Sequence, residues 1–201
     1  MKWFCADTHL GHSKVLIGER GKQFPEIEQW NQHCISEINR VVNRNDTLFI
    51  LGDFCLKNPN LWRPKIKCRD AWLIIGNHDQ SQSQLDVAFG KGKARLTYET
   101  HALDIPCFLS HYAHAFWPKS HRGSCHLYGH NHDQREETLD SWMPDRRSSD
   151  VSPETAFRLT VEWRPLSETE IHAMLSVRKS HDHVEFYEAK RGKFTTEICE
   201  E

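Results

Sequence analysis

Apolar residues run along this chain in short bursts, and most bursts end in the same kind of polar residue. Residues 2–6 read as a short apolar strand. Between about 25 and 43, Ile27, Trp30, Cys34, Ile35, Ile38, Val41 and Val42 keep the i, i+3, i+4, i+7 spacing of one buried helical stripe, and Pro25 suits its first turn. "NRND" (43–46) breaks that helix, and "TLFILGD" (47–53) reads as a fully buried strand. Strand, helix and strand in that order predict two parallel neighbours joined by a right-handed crossover. Residues 54–70 predict a loop and a short helix, leading into the strand "AWLIIGNHD" (71–79) and a short helix near 82–89. Residues 96–100 and 103–111 read as a hairpin pair, and "CHLYGHNH" (125–132) as another strand. The segment 133–156 is polar, charged and weakly periodic, which predicts a long loop or insertion. "SETE" (167–170) has capping-box form, with Ser167 as N-cap and Glu170 at N3, and opens a helix carrying Ile171, Met174 and Leu175. "HVEFYEAK" (183–190) alternates as a late strand. There is no internal repeat or low-complexity tract, so the 201 residues are expected to form a single α/β domain.

Charge and composition narrow the partners. Lys and Arg number 26 against 28 Asp and Glu, a net charge of −2. A protein held along a long nucleic-acid backbone carries a basic surplus instead. The basic clusters "KIKCR" (65–69), "RR" (146–147) and "KRGK" (190–193) are short and read as solvated surface, which leaves room only for short nucleic-acid contacts. No apolar run approaches membrane-spanning length, and residues 1–4 run straight into a polar segment unlike a secretory leader. The seven cysteines form no C-x-x-C pair, and Cys5, Cys55 and Cys107 sit in strand-like contexts. Buried thiols and a cytoplasmic location follow as expectations. Histidine is abundant, at 14 residues, so its placement decides whether it carries chemistry.

That placement is systematic. The predicted strands end in Asp7-Thr8-His9, in Gly52-Asp53, in Gly76-Asn77-His78-Asp79, at His111, and in Gly129-His130-Asn131-His132. In an open α/β sheet, sites gather outside the carboxyl ends of the strands. In extended chain, residues i and i+2 share a face, so Asp7 with His9 and His130 with His132 are candidate ligand pairs. Gly52, Gly76 and Gly129 each precede a candidate ligand. Two carboxylates, an amide and several imidazoles suit Mn²⁺, Fe²⁺, Co²⁺, Ni²⁺ or Zn²⁺ better than Mg²⁺. The candidates are too many for one ion. Two-metal hydrolytic sites hold their ions about 3.5–4 Å apart and clamp a phosphoryl group. Two divalent ions outweigh Asp7, Asp53 and a bridging hydroxide in charge, so the site suits an anionic phosphate ester.

The ordered blocks D-x-H, G-D, G-N-H-D, H and G-H-x-H, over roughly residues 5–132, resemble the calcineurin-like metallophosphoesterases. "DTHLGH" and "LSHYAHAFWP" resemble a small bacterial and phage-type subgroup. The resemblance implies a sandwich of two β-sheets flanked by helices, with two divalent ions, Mn²⁺ foremost. It implies that Asp7, His9, Asp53 and His132 hold one ion and that Asp53, Asn77, His111 and His130 hold the other, with Asp53 bridging. It also implies that His78 contacts the substrate phosphate and assists the leaving group. The expected reaction is attack of a metal-bridging hydroxide on a phosphate ester, with a small or nucleotide-type phosphodiester as the favoured substrate. A nuclease or a phosphomonoesterase would use the same site, and a non-catalytic scaffold would be expected to have lost ligands.

Residues around the motifs carry less specific expectations. His12 could orient substrate phosphate or line the rim, and His114 and Arg122 are substrate-side candidates. Tyr112 and Trp117 could stack on a nucleobase. Arg20, Lys57 and Lys119 could meet phosphate at the rim. Asp79 reads as structural, accepting backbone N–H groups at a helix start. His181 and His183 could bind adventitious metal, but a polar turn is the simpler reading.

Overall fold

Alternation along the first strands decides the layering. In a computed structural model, which describes residues 1–134 and 146–177, β1 (Lys2–Cys5), β2 (Thr47–Ile50) and β3 (Asp70–Ile74) lie parallel and side by side. Cys5, Leu48, Ile50, Ala71 and Leu73 pack into one core, while Phe4, Phe49 and Ile74 pack into another. Strands apolar at successive positions must be covered on both faces, and this sheet is.

Helices cover the first face. α1 (Gly18–Gln23) and α2 (Ile27–Val41) follow β1, α3 (Pro59–Trp62) follows β2, and α4 (Gln82–Phe89) follows β3. α2 and its C-cap lay Trp30, Cys34, Ile38 and Val42 into the core, with Ile27, Ile35 and Val41 half-buried against it. Glu26 and Gln29 form the capping box of α2, so Pro25 stands just before the cap rather than in the first turn. β4 (Ala94–Arg95) joins β3 in parallel, and β9 (Leu166–Ser167) joins β1 antiparallel, giving the order β4-β3-β2-β1-β9.

A second sheet covers the other face. Its order is β5 (Thr97–Ala102), β6 (Ile105–Ser110), β7 (Cys125–Tyr128) and β8 (Ser148–Asp150). β5 and β6 form the expected antiparallel pair, while β6–β7 and β7–β8 are parallel. Ala102, Ile105, Cys107, Leu109, Cys125 and Leu127 share a core with Phe4, Phe49, Leu51 and Ile74. Two further helices, α5 (Pro153–Thr160) and α6 (Glu168–Ser176), complete the described α-helices and strands. α6 opens on the Ser167–Glu170 capping box and adds Ile171 and Leu175 to the inter-sheet core. The architecture is a two-sheet α/β sandwich flanked by helices.

One expectation needs correction. The segment 133–156 is not all irregular, because β8 and the first turn of α5 lie inside it. Ser148, Ser149 and Asp150 are polar yet buried, so hydrophobic periodicity carries no trace of this strand. Several of its polar atoms are satisfied internally. Arg146 Nη1 donates to Ser148 Oγ, Ser149 Oγ donates to the Asp150 carbonyl, and the Ser152 N–H donates to Asp150 Oδ1. The strand expected at 183–190, and His181 and His183, lie outside the described residues.

Candidate metal centre

The strands stop short of their ligands. β1 ends at Cys5, β2 at Ile50, β3 at Ile74 and β7 at Tyr128, and the chain then turns. Asp7, His9, Asp53, His130 and His132 all adopt left-handed backbone, with φ of 50°, 45°, 51°, 70° and 50°. Each non-glycine residue in that region costs about 1–2 kcal/mol. The reading of Asp7/His9 and His130/His132 as same-face pairs in extended chain is therefore corrected. Asp7 and His9 still converge, but His130 and His132 enter different ligand groups.

Backbone hydrogen bonds fix these turns against one another. The loop after β1 zips onto the loop after β2, with Asp7 N–H on Gly52 O (3.0 Å), His9 N–H on Asp53 O (2.8 Å) and Leu10 N–H on Phe54 O (3.0 Å). The Thr8 hydroxyl donates to Phe54 O, and the Trp30 indole N–H donates to Thr8 O, both at 2.8 Å. Asp79 accepts the N–H groups of Asp53 and Phe54 at 2.9 Å and of Gly76 at 2.8 Å. It is structural, as expected, but it ties two strand ends together rather than a helix start. Burial pushes its carboxyl up to about 7.

Two ligand groups result. Asp7, His9 and His132 form one, and Asp53, His111 and His130 the other. In the first, Asp7 Oδ1 lies 3.8 Å from His9 Nε2 and 3.7 Å from His132 Nε2. In the second, Asn77 Oδ1 lies 3.0 Å from His111 Nε2 and 3.1 Å from His130 Nδ1. Asp53 Oδ2 joins the groups, at 3.5 Å from both His9 Nε2 and His111 Nε2. His111 Nδ1 is 2.9 Å from the Leu51 carbonyl, which can only accept. A proton on Nδ1 would donate to that carbonyl and leave the Nε2 lone pair, beside Asp53 and Asn77, for an ion.

These residues fit divalent ions. Separations of 3.5–3.8 Å between the carboxylate oxygens and ring nitrogens are too long for hydrogen bonds. They suit donors that each stand about 2.0–2.2 Å from a shared ion. Asp7 Oδ1 is buried and meets no hydrogen-bond donor. Burial holds the Asp7 carboxyl well above the usual range, with the Asp150 and Asp53 charges adding to the effect. Burial first, and then the charges of His132 and Arg20, lower His9 to about 2, so its imidazole is neutral and available. Burial lowers His111 as well. The approach is close enough to demand glycine. A Cβ on Gly76 would stand 2.3 Å from Asp53 Oδ1, and one on Gly129 would stand 2.4 Å from Asp7 Oδ2.

The remaining candidates divide by location. His78 is exposed, with its ring 5.2 Å from that of His9 and 5.5 Å from that of His12. His12 also lies 5.5 Å from His9, which brings both rings to the first ligand group. Tyr112 is 48% exposed, with its ring 4.7 Å from His130 and 5.0 Å from His111. Trp117 is core instead, and its indole N–H donates to the Ser124 carbonyl. His114 packs on Phe108 and His126, and Arg122 lies exposed at the end of the turn Ser120–Arg122. Lys119 pairs with Glu99, and Lys57 is exposed. Arg20 is no rim residue. It is 1% exposed and paired with Glu154. Glu154 itself was missed within the supposed loop, although Ser152 followed by Pro153 is a helix-start signal.

Fold and site together define an α/β metallohydrolase. Residues 3–185 match the profile of the calcineurin-like phosphoesterase family. The chain belongs to that family and is a metal-dependent phosphoric ester hydrolase. A protein of unknown function, AQ665, from Aquifex aeolicus shares the fold, with a TM-score of 0.66 at 20% identity over 87% of this chain and 98% of that one. A conserved Streptococcus pneumoniae protein, described as a predicted phosphoesterase, aligns at 18% identity and a TM-score of 0.35, over 65% of this chain and 62% of its own. At that score it adds nothing to the fold assignment. Protein PB1-F2 of an influenza A virus is 28% identical over 82 residues, which is 38% of this chain and 88% of that protein. That stretch is too short to define a family. No helix among the described residues is long and apolar enough to cross a membrane.

Proposed function

We propose that the protein hydrolyses phosphodiesters of small or nucleotide-type alcohols with two divalent ions, Mn²⁺ foremost, inside the cytoplasm. Asp7, His9, Asp53 and His132 hold one ion, and Asp53, Asn77, His111 and His130 the other. The observation that carries this reading is the position of Asp53 Oδ2, 3.5 Å from an imidazole of each group. When bound, such ions supply a nucleophile at neutral pH and offset the phosphoryl charge.

The chain's own residues do the rest. The backbone N–H of His78 is tied to Asp53 Oδ1 at 2.9 Å, while its exposed imidazole stands beside the His9 ring of the first group. It donates a proton to the departing oxygen. His12 holds a phosphate oxygen beside it. Tyr112 offers an exposed ring next to His130, which favours an aromatic or nucleoside leaving group over a simple alkyl one. A nuclease would carry a basic groove leading to the ions. The groove of about 510 Å³ lined by Arg44, Lys67 and Arg69 instead lies beside the amino ends of β2 and β3, opposite the ligands.

The test is a hydrolysis screen of the Mn²⁺-loaded protein. It compares bis(p-nitrophenyl) phosphate, p-nitrophenyl phosphate, cyclic nucleotides and short oligonucleotides, in the parent and in Asp53→Asn. Diester turnover that Asp53→Asn abolishes is the expected result. Turnover of the monoester alone would overturn the diester assignment, and cleavage of oligonucleotides alone would make the protein a nuclease.

A further inference from the structure

Behind His132 lies an ion pair that no ligand motif contains. Arg20 lies over the Trp30 indole, with its guanidinium carbon 4.5 Å from the ring centroid. Its Nη2 stands 2.6 Å from Glu154 Oε1. Glu154 is the second residue of α5, just after β8. Its other oxygen, Oε2, stands 3.5 Å from His132 Nδ1, and Arg20 Nη2 stands 3.4 Å from that same nitrogen. On the opposite side of the ring, His132 Nε2 faces Asp7 Oδ1.

The two neighbours make opposite demands on Nδ1. An arginine only donates hydrogen bonds, and a carboxylate only accepts them. Arg20 alone would favour a lone pair on Nδ1, which places the proton on Nε2 and blocks the ligand atom. Glu154 favours the proton on Nδ1, which frees Nε2 for an ion. Arg20 Nη2 and Glu154 Oε2 stand almost equally far from Nδ1, at 3.4 and 3.5 Å, so what separates them is where the arginine is already committed. Glu154 engages the Arg20 Nη2 at 2.6 Å, far closer than that nitrogen stands to the ring. The same helix also grips the residue after His132, since Asp133 accepts from Arg158 and Thr155 of α5. Loop and ring are thus held from one element.

We propose that Glu154, anchored by Arg20, is the positioning residue that sets the tautomer of His132 and so makes the Asp7–His9–His132 group able to bind metal. The inference rests on the dinuclear reading above.

Two measurements test it. In the metal-free parent protein, nitrogen-15 NMR of the His132 ring, assigned with His132→Gln, reads the tautomer directly. A protonated Nδ1 is expected, and a protonated Nε2 overturns the inference. The second measurement is Mn²⁺ calorimetry on the parent, Glu154→Gln and Glu154→Asp. The glutamine can keep Arg20 on its carbonyl while offering an N–H to Nδ1, which selects the wrong tautomer. One of the two Mn²⁺ affinities should then fall about 10- to 100-fold while the other holds, and Glu154→Asp, still an acceptor, should recover most of it. If Glu154→Gln binds both ions as the parent does, the inference is overturned while the dinuclear reading stands. If the parent itself binds fewer than two ions, that reading fails and takes the inference with it. Should Glu154→Gln prove unfolded by circular dichroism, the tautomer in the parent decides alone.

Discussion

The backbone N–H of His130 donates to Asp7 Oδ2 at 2.9 Å, across 123 residues of chain. Asp53 is treated alike, with its Oδ1 accepting the N–H of His78 at 2.9 Å. In each aspartate one oxygen is held by the backbone of another ligand loop. The other oxygen, Asp7 Oδ1 or Asp53 Oδ2, is left facing imidazoles. The carboxylates are therefore oriented before any ion arrives.

Asp53→Asn should be the most damaging single change in the centre. It keeps the shape but removes a charge placed against both groups. A loss of about 10²–10³-fold in kcat is expected, with fewer than two Mn²⁺ bound by calorimetry. Two bound ions in Asp53→Asn would contradict its bridging position.

His78→Gln should separate chemistry from metal binding. A fall in kcat of about 10²–10⁴-fold is expected for substrates with poor leaving groups, where proton donation matters. The fall should be much smaller for p-nitrophenyl esters, whose leaving group needs no proton. Mn²⁺ stoichiometry should stay at the parent value. An equal loss across leaving groups would argue against an acid role.

Gly76→Ala should damage fold and centre together. The added Cβ meets Asp53 Oδ1 at 2.3 Å, Asp53 N at 2.7 Å and His111 Cε1 at 2.9 Å. Backbone cannot yield as a flexible side chain does. A destabilisation of about 1–3 kcal/mol is expected in urea unfolding, along with weakened Mn²⁺ binding. Gly90→Ala is a poor control despite its open surroundings, because Gly90 has φ of 98°.

Acid should unfold the protein partly through His126. This ring is buried, accepts the His114 N–H on Nε2 at 3.1 Å and lies 3.1 Å from the Phe108 carbonyl through Nδ1. Burial lowers its pKa from 6.5 to about 3. The unfolded chain therefore takes up a proton that the folded one refuses. The stabilisation is complete above pH 6.5 and declines as pH falls towards about 3. Over that window His126→Phe should flatten the dependence of unfolding free energy on pH by up to about 1.4 kcal/mol per unit. An unchanged slope would refute the assignment.

Much of the centre was legible because its candidate ligands punctuate apolar runs. Phe4, Phe49 and Ile74 stand in such bursts, and the polar residue after each burst is a candidate ligand or adjoins one. The helix expected near 82–89 is present as Gln82–Phe89, with Leu85 and Phe89 as its buried pair. Strand lengths were overestimated, because a sequence does not reveal where the backbone leaves the extended region, as at Asp7 and Asp53. β8 was invisible because Ser148, Ser149 and Asp150 are buried through hydrogen bonds rather than hydrophobicity. Arg20 was misplaced at the rim, and Glu154 was missed, for a related reason. A charged residue has the same letter whether it is solvated or neutralised by a partner 134 positions away, and only the fold brings these two to 2.6 Å.

Each ligand group draws donors from both layers of the sandwich. Asp7 and His9 follow a strand of the first sheet, and His132 follows a strand of the second; Asp53 belongs to the first, and His111 and His130 to the second. An ion held in either group would therefore act as a rivet driven through both plates. Sliding one sheet over the other would shear the coordination, and a chelator should loosen the whole sandwich as well as silence the chemistry. The melting temperature should accordingly rise with free Mn²⁺, reflecting about 2.7 kcal/mol of added stability per ion at a hundredfold excess over the dissociation constant.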